Sequence, residues 1–549
     1  MPRNIVIDLI DLSISSHIKT VSTRRITFGS SAKTLSVAGL LTLLSVALGN
    51  PAPDKESARL FIREYRVKGA KKIGVEEIER AIYPYLGKGK SIADVEKART
   101  ALEKVYHEKG YQTVSVIIPQ QDPTKGIIQF RVVESEIANL RVNGSRYHLP
   151  SRIKSQITSL APGTVPNFET VKKEIVGLNQ SADLKVTPRI QAGSIPGTFD
   201  VDLDVEDHFP LHGSFELNNR YNPQTSPLRA NASISYGNLF QLGHTAGISY
   251  QIAPENRDDA EVASGYYLAP IHPHLSLMLS ATKQNSDVST LGGAASAGRG
   301  QILGLRALFR LPDTHSLSVG IDAKRFDDRL TIGTETIRNP INYYPASFAY
   351  SWFRKKEKSL TEVNSSLNFA LRQLGDDDAR FDDKRFLAKG SYIYNRFDVS
   401  HTHEIFRQWQ WYGKIQGQIS DQPLINTEQF AAGGWSSARG YLESTALGDQ
   451  AWFLSTELRT PNFLPWIHDK FFANDEARLH VFADAGVSSI HDPLPAQDQH
   501  EEFLSVGVGG RFSLAERYHG TLDLAFPFTD FADTSQGESR LIFRTWTNF

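Results

Sequence analysis

Polar and apolar positions alternate residue by residue through the last third of the chain. Over 478–487, Leu479, Val481, Ala483, Ala485 and Val487 share one face. His480, Asp484 and Gly486 share the other, with Phe482 the one apolar exception there. Segment 518–526 repeats the pattern, Leu522, Leu524 and Phe526 opposing Thr521, Asp523 and Ala525. A period of two is strand geometry, and an apolar face opposed to a polar or small one fits a closed barrel with a wet interior. From Pro210 onward no helical period interrupts it.

Sixteen strands are predicted there, over 211–221, 228–237, 244–252, 260–269, 274–284, 300–311, 315–326 and 343–354, then 360–373, 384–398, 406–420, 450–459, 477–487, 502–513, 517–527 and 539–549. If the segment before strand one lies in the periplasm, the outward connections are mostly long (285–299, 327–342, 374–383, 421–449, 488–501, 528–538). The inward ones, such as 270–273, 312–314, 355–359 and 514–516, are short. Short turns inside and long loops outside are typical of outer-membrane barrels. The inward connection 460–476 breaks that rule.

Residues 59–137 read differently. A strand over 60–68 ends at Gly69, a helix over 75–86 at Gly87, and Ser91 with Asp94 opens a second helix as a capping box. That helix carries Ile92, Val95, Leu102, Val105 and Tyr106 on one face up to Gly110, and strands at 113–119 and 127–134 close the unit. The order β-α-α-β-β recurs over 138–208, with helices near 150–160 and 168–179 and strands at 185–192 and 198–206. Such a repeat is stronger than either copy alone.

The one long apolar run, Leu35 to Leu48, follows Arg24, Arg25 and Lys33. It is short for a spanning helix and suits a secretory signal over 1–49, with cleavage beside Ala47-Leu48-Gly49. The preceding stretch is long for an n-region, so an over-long start is one expectation. The Arg-Arg pair has a twin-arginine look, but that pathway carries folded cargo. Net charge is -1, which argues against nucleic-acid binding by bulk charge. The chain has no cysteine, so thiol chemistry and Cys-based metal sites are excluded. Mean hydropathy is -0.32, and hydropathy scans miss barrels.

The longest outer loop, 421–449, holds Gly433-Gly434-Trp435 and then Ala438-Arg439-Gly440-Tyr441. The thirteenth strand carries Phe482, Asp484 and Gly486 at alternate, lumen-facing positions. An infolded loop would bring Arg439 to Asp484. Such a pair is worth ~0–1 kcal/mol if exposed, whereas breaking a buried one costs roughly 3–5 kcal/mol.

On these motifs the chain resembles the TpsB branch of the Omp85 superfamily, the outer-membrane transporters of two-partner secretion. The resemblance implies two periplasmic POTRA modules of β-α-α-β-β order followed by a sixteen-stranded antiparallel transmembrane β-barrel. Loop six of that family folds into the lumen with a VRGY/F motif, here Ala438-Arg439-Gly440-Tyr441, and strand thirteen carries F-x-D-x-G, here Phe482, Asp484 and Gly486. By that resemblance Arg439 bonds Asp484 and locks the loop, and terminal Phe549 is the barrel-assembly signal. Tyr85-Leu86-Gly87, Lys109-Gly110-Tyr111, Gln120-Gln121-Asp122 and Gly448-Asp449 are further similar stretches. Two departures stand out. Fewer than ten residues separate the expected cleavage site from the first module, whereas a pore-plugging helix needs about twenty residues at ~1.5 Å each to cross ~30 Å. Thr547 also replaces the usual tyrosine or other hydrophobic residue of the C-terminal signal.

Other constellations are weaker. Gly87-Lys88-Gly89-Lys90-Ser91 ends like a phosphate loop but has Pro84 in place of the first glycine, and reads as a helix–helix loop. His272-His274 and His401-His403 lack a third ligand. Glu362, Glu457 and Asp523 read as pore lining rather than a catalytic pair. The expected function is a nucleotide-independent pore, not an enzyme, that exports an unfolded, TpsA-like exoprotein caught by the POTRA modules through strand addition at 185–192. No cofactor or metal is expected. The expected partners are that exoprotein, the barrel-assembly machinery and outer-membrane lipid, with no nucleic acid, and the transporter is expected to be a monomer. The alternative is an assembly or insertion factor of the same superfamily. Such factors usually carry three or more POTRA modules. A passive porin would not need the modules.

Overall fold

The structure, a computed structural model, describes residues 59–549 apart from 224, 287, 290–295, 298, 333–334, 468–474, 496 and 532–533. The expected signal segment lies outside the described residues. The chain divides into two compact units that meet between Phe209 and Pro210.

The N-terminal unit holds two modules of one topology. In the first, strand Glu64–Lys68 leads to helices Val75–Ile82 and Ile92–Glu108, then to strands Ser115–Ile117 and Ile127–Val133. The last strand is central, parallel to Glu64–Lys68 and antiparallel to Ser115–Ile117. In the second, strand Glu136–Asn143 leads to helices Pro150–Ser155 and Phe168–Leu178, then to strands Leu184–Ala192 and Thr198–Asp207. Again the last strand is central, parallel to the first and antiparallel to the one before it.

Local chemistry sets these elements. Ser91 and Asp94 form the capping box, with Asp94 N 3.3 Å from Ser91 Oγ and Ser91 N 3.0 Å from Asp94 Oδ2. The helix behind it buries Val95, Ala98, Leu102 and Tyr106. Gly110 then turns the chain at φ +90, a conformation glycine adopts without penalty. Its carbonyl accepts Phe168 N at 2.8 Å, and Asn167 Nδ2 donates to Lys109 O at 2.7 Å, joining the two modules. Gly87–Lys90 is a correction: it is a strand paired with Leu60–Ile62, not a loop.

The C-terminal unit is a closed antiparallel barrel. Its sixteen strands are Leu211–Asn218, Arg229–Leu239, His244–Ile252, Ala260–His272, Leu275–Ser286, Gly300–Arg310, His315–Ile332, an eighth described below, Ser359–Ala370, Tyr392–Glu404, Gln410–Ser420, Gln450–Arg459, Glu476–Ser489, His500–Leu514, Tyr518–Pro527 and Arg540–Asn548. The eighth is made of Glu335–Tyr343 and Ala346–Lys355, broken at Tyr344-Pro345, because both pieces pair with strand seven. The wall is apolar outside, where Leu479 and Val481 are 55% and 52% exposed, and polar inside, where His480 and Asp484 are buried. The first and last strands close the barrel over five residue pairs, Ser214–Asn548 to Asn218–Arg544, fewer than at any other junction of the barrel among the described residues. Phe549 extends this seam, exchanging main-chain hydrogen bonds with Gly213 at 3.0 and 3.1 Å.

Three boundaries differ from expectation. Strand ten begins at Tyr392, not 384, because Asp377 caps a loop helix, Asp378–Lys384, whose Phe381 is buried beside Tyr343 and Tyr392. Strands seven and eight continue as a paired hairpin up to Ile332 and Glu335, where a loop over 327–342 was expected. The long inward connection is held by Asn462, whose amide donates to Asp475 O at 2.8 Å and accepts from Ala477 N at 2.9 Å. Arg478 also donates to the carbonyls of Gln408 and Thr460 at 2.8 and 2.7 Å.

Candidate functional site

Loop 421–449 lies inside the barrel. Its base is a small hairpin, Phe430–Ala432 with Ala446–Gly448, and its tip turns on Gly433, Gly434 and Gly440, all at positive φ. The structure brings Arg439 to Asp484. Nε and Nη2 donate to the two carboxylate oxygens at 2.8 and 2.9 Å, and the Arg439 main-chain N reaches Oδ2 at 3.1 Å. This bidentate arrangement is the strong form of a charge-assisted hydrogen bond. Ser455 Oγ also donates to Asp484, at 2.6 Å.

The arginine does more than the motif pair suggests. Its Nη1 donates to Glu457 at 2.7 Å and lies 3.3 Å from Asp523, and its guanidinium stacks 3.6 Å above the ring of Phe482. Arg459 and Arg511 reach the second oxygen of Glu457 at 2.7 and 2.9 Å. Three guanidinium groups thus face three buried carboxylates, Asp484, Glu457 and Asp523, equal in number, with the His480 ring 2.9 Å from Asp523. Sequence reasoning named Glu457 and Asp523 only as pore lining. Their lumen-facing parity was legible, but their convergence on one arginine was not. Glu362 stays apart and accepts from Ser400 Oγ at 3.1 Å.

The remaining motif positions have steric reasons. A Cβ on Gly486 would stand 2.1 Å from the ring of Phe453, which packs with Phe430 and Phe503. Gly440 is at φ +103, and a Cβ there would meet Ser505 and Pro527 at 3.3 Å. Tyr441 is buried, and its hydroxyl donates to Leu504 O at 3.0 Å and accepts from Thr529 N at 3.3 Å. Phe549 lies against Gly213 at the seam, where a Cβ on that glycine would strike the ring. Among the described residues no group of three metal-ligating side chains converges.

Sequence reasoning missed two more buried anchors of this loop. Asp449 is fully buried and binds Arg385 at 2.9 Å, Leu424 N at 2.9 Å, Gln429 Nε2 at 3.0 Å and His491 N at 2.7 Å, so one carboxylate gathers three outer loops. Glu428 takes Lys324 at 2.6 Å, with the hydroxyls of Tyr343 and Tyr394 at 2.5 and 2.7 Å. The Gly448-Asp449 stretch was the only sequence signal for either.

Comparison with known proteins supports the fold described above. Residues 197–512 match the family model of the haemolysin secretion/activation protein ShlB/FhaC/HecB, and residues 60–135 match the ShlB-type POTRA domain. The outer membrane transporter CdiB of Dickeya dadantii is 22% identical over 418 residues, covering 74% of this chain and 72% of its own length. The heme/hemopexin transporter protein HuxB of Haemophilus influenzae is 19% identical over 473 residues, covering 83% and 80%. The structure of CdiB from Escherichia coli superposes with a TM-score of 0.59 at 16% identity, covering 91% of this chain and 92% of that one. BamA from Haemophilus ducreyi lacking POTRA domains 1–3 gives 0.57 at 14%, covering 89% and 100%, which shows a shared fold. The chain belongs to the haemolysin secretion/activation protein family ShlB/FhaC/HecB, outer-membrane β-barrel transporters whose POTRA modules lie in the periplasm.

Proposed function

We propose that this transporter takes an unfolded, TpsA-like exoprotein from the periplasm, threads it through the lumen and releases it at the cell surface without nucleotide hydrolysis. The observation that carries this reading is the infolded loop. A purely structural plug needs no balanced cluster of six charges, whereas a loop that must stay seated beside a passing chain needs anchors that neither water nor cargo displaces. In this reading Arg439, Gly440 and Tyr441 hold the loop against Phe482, Asp484 and Gly486. Phe549 is the handle by which the assembly machinery recognises the barrel, and the transporter works as a monomer in outer-membrane lipid. Folding of the cargo outside drives export.

Capture by strand addition has a defined start in this reading. Leu184–Ala192 is an edge strand, but both main-chain groups of Val186 are taken by Asn179, at 2.6 and 3.0 Å, and Pro188 has no N–H to offer. By the same parity, Ile190 and Ala192 are the donors left beyond Pro188. An incoming strand would dock there first and bind weakly, which suits a chain that must be handed on.

The test is co-expression with a candidate exoprotein and assay of the medium. Secretion that disappears without this protein, while other barrels assemble normally, supports export. Secretion that persists while other barrels stall moves the chain to the assembly-factor role.

A further inference from the structure

Every second residue of the loop tip is fixed to a different part of the wall. Arg439 meets strand thirteen at Asp484. Tyr441 meets strand fourteen at Leu504 O and, just past strand fifteen, Thr529. Glu443 meets the end of strand one, where Arg220 Nε and Nη2 donate to Oε1 and Oε2 at 2.9 and 3.4 Å. Both side chains of this pair are at most 8% exposed. Glu443 N also donates to Tyr221 O at 3.1 Å, and Glu443 Oε1 accepts Trp435 N at 3.0 Å. Gly434 is part of the same fitting, since a Cβ there would lie 2.3 Å from the Glu443 carboxyl carbon. The tip is therefore a strap that runs inside strands thirteen to sixteen and crosses to strand one.

The strap crosses the junction with the least main-chain pairing. At the outer end of that junction one more main-chain bond, from Asn219 N to Phe543 O at 3.3 Å, ends the ladder and side chains continue it. Asn219 donates to Leu541 O at 2.7 Å and accepts from Phe543 N at 2.8 Å, while Arg544 pairs with Glu216 at 2.7 Å and Arg540 stacks 4.9 Å from the ring of Tyr221. Asn219, Arg220 and Tyr221 are consecutive, so one tripeptide holds both the last strand and the loop.

We propose that Arg220 and Glu443 are a second clamp, separate from Arg439–Asp484, which makes closure of the barrel between its first and last strands depend on the seated loop. Arg220 and Glu443 are positioning residues. Unseating the loop leaves Arg220 without its bidentate partner beside the shortest ladder of the barrel, and the seam then opens more often. The inference holds whatever the cargo is.

Because the chain has no cysteine, a single introduced pair reports on the seam. Leu217 and Thr545 are register partners across it, and Tyr267 and Leu279 are partners between strands four and five, well away from the loop. Oxidative cross-linking of Leu217→Cys with Thr545→Cys is measured in otherwise unchanged protein and in Glu443→Gln and Arg220→Gln. The clamp predicts a several-fold slower cross-link in either variant, restoration in the charge-swapped double variant Arg220→Glu with Glu443→Arg, and no change for Tyr267→Cys with Leu279→Cys. Equal loss at both cysteine pairs would mean general loosening and would overturn the proposal, as would an unchanged seam in both glutamine variants. If a glutamine variant fails to fold, the milder Glu443→Asp replaces it, and a wild-type cross-linking rate there counts against the clamp.

Discussion

The two units of this chain use the same side chains in opposite senses. In the periplasmic unit, Leu102, Tyr106 and Phe130 are fully buried among apolar neighbours, and charged groups line the outside. In the barrel, Leu479 and Val481 face outward and Arg439, Glu457, Asp484 and Asp523 are buried. The difference follows from the solvent. Water drives apolar groups inward, whereas lipid accepts them on the outer wall and leaves the interior to paired polar groups. A module core is held by packing, and the barrel interior by charge balance, so the two should fail in different ways.

The largest failure is expected inside the barrel. Arg439→Ala removes the group that Asp484, Glu457 and Asp523 share. Breaking a buried pair in this way costs roughly 3–5 kcal/mol. The expected result is a barrel that still forms while loop 421–449 leaves its seat, read as new protease cleavage in the loop and a lower temperature for heat-induced unfolding on gels. A seated, protease-resistant loop with unchanged secretion would remove the arginine from both roles.

Leucine-to-alanine substitutions sharpen the contrast. Leu102→Ala should destabilise the first module by about 2–5 kcal/mol, since a close-packed core adds a cavity cost to the lost transfer energy. Leu479→Ala on the outer wall should cost only about 1–2 kcal/mol, because fluid acyl chains fill the space and leave the transfer term alone. Loss of the helical dichroism band reports the first, since the long helices belong to the modules. Loss of the sheet signal reports the second. Equal costs would mean that lipid packs against this wall as rigidly as protein does.

The same opposition decides what the sequence could reveal. Alternation exposed the barrel because one face of each strand meets lipid, and it placed Asp484 on the lumen side from parity alone. The capping box at Ser91 and Asp94 was equally legible, being a contact three residues long. Contacts between distant segments were not. Nothing local links Glu443 to Arg220, 223 positions apart, or Asp449 to Arg385. Strand ten was extended too far because 384–391 has strand-like composition, and only the burial of Phe381 shows that a helix precedes it. Arg439 was found through a motif, whereas the three-carboxylate cluster needed the closed barrel, which brings strands twelve, thirteen and fifteen round one loop.

The smallest expected effect separates the units by pH. Asp94 is held down to about 2, chiefly by the Ser91 backbone N–H, then by the Ser91 hydroxyl and Lys97, against an ordinary value of 3.8. Asp207, in the second module, is also lowered. Burial is the strongest single influence and pushes it up, but the N–H groups of Arg146, Tyr147 and His148 and the His148 ring together outweigh it. For a carboxyl whose folded pKa is depressed, the contribution is complete above the unfolded value and fades as pH falls through the folded one. The modules should therefore keep their melting temperature down to about pH 4 and lose part of it between there and about pH 2. Asp94→Asn keeps a side chain that can accept from the cap but cannot titrate, so it should lower the melting temperature at neutral pH and flatten the first module's acid loss. An acid loss as steep in Asp94→Asn as in the unaltered chain would move the titration to other carboxyls, and the first module's helix cap would then play no part in its response to acid.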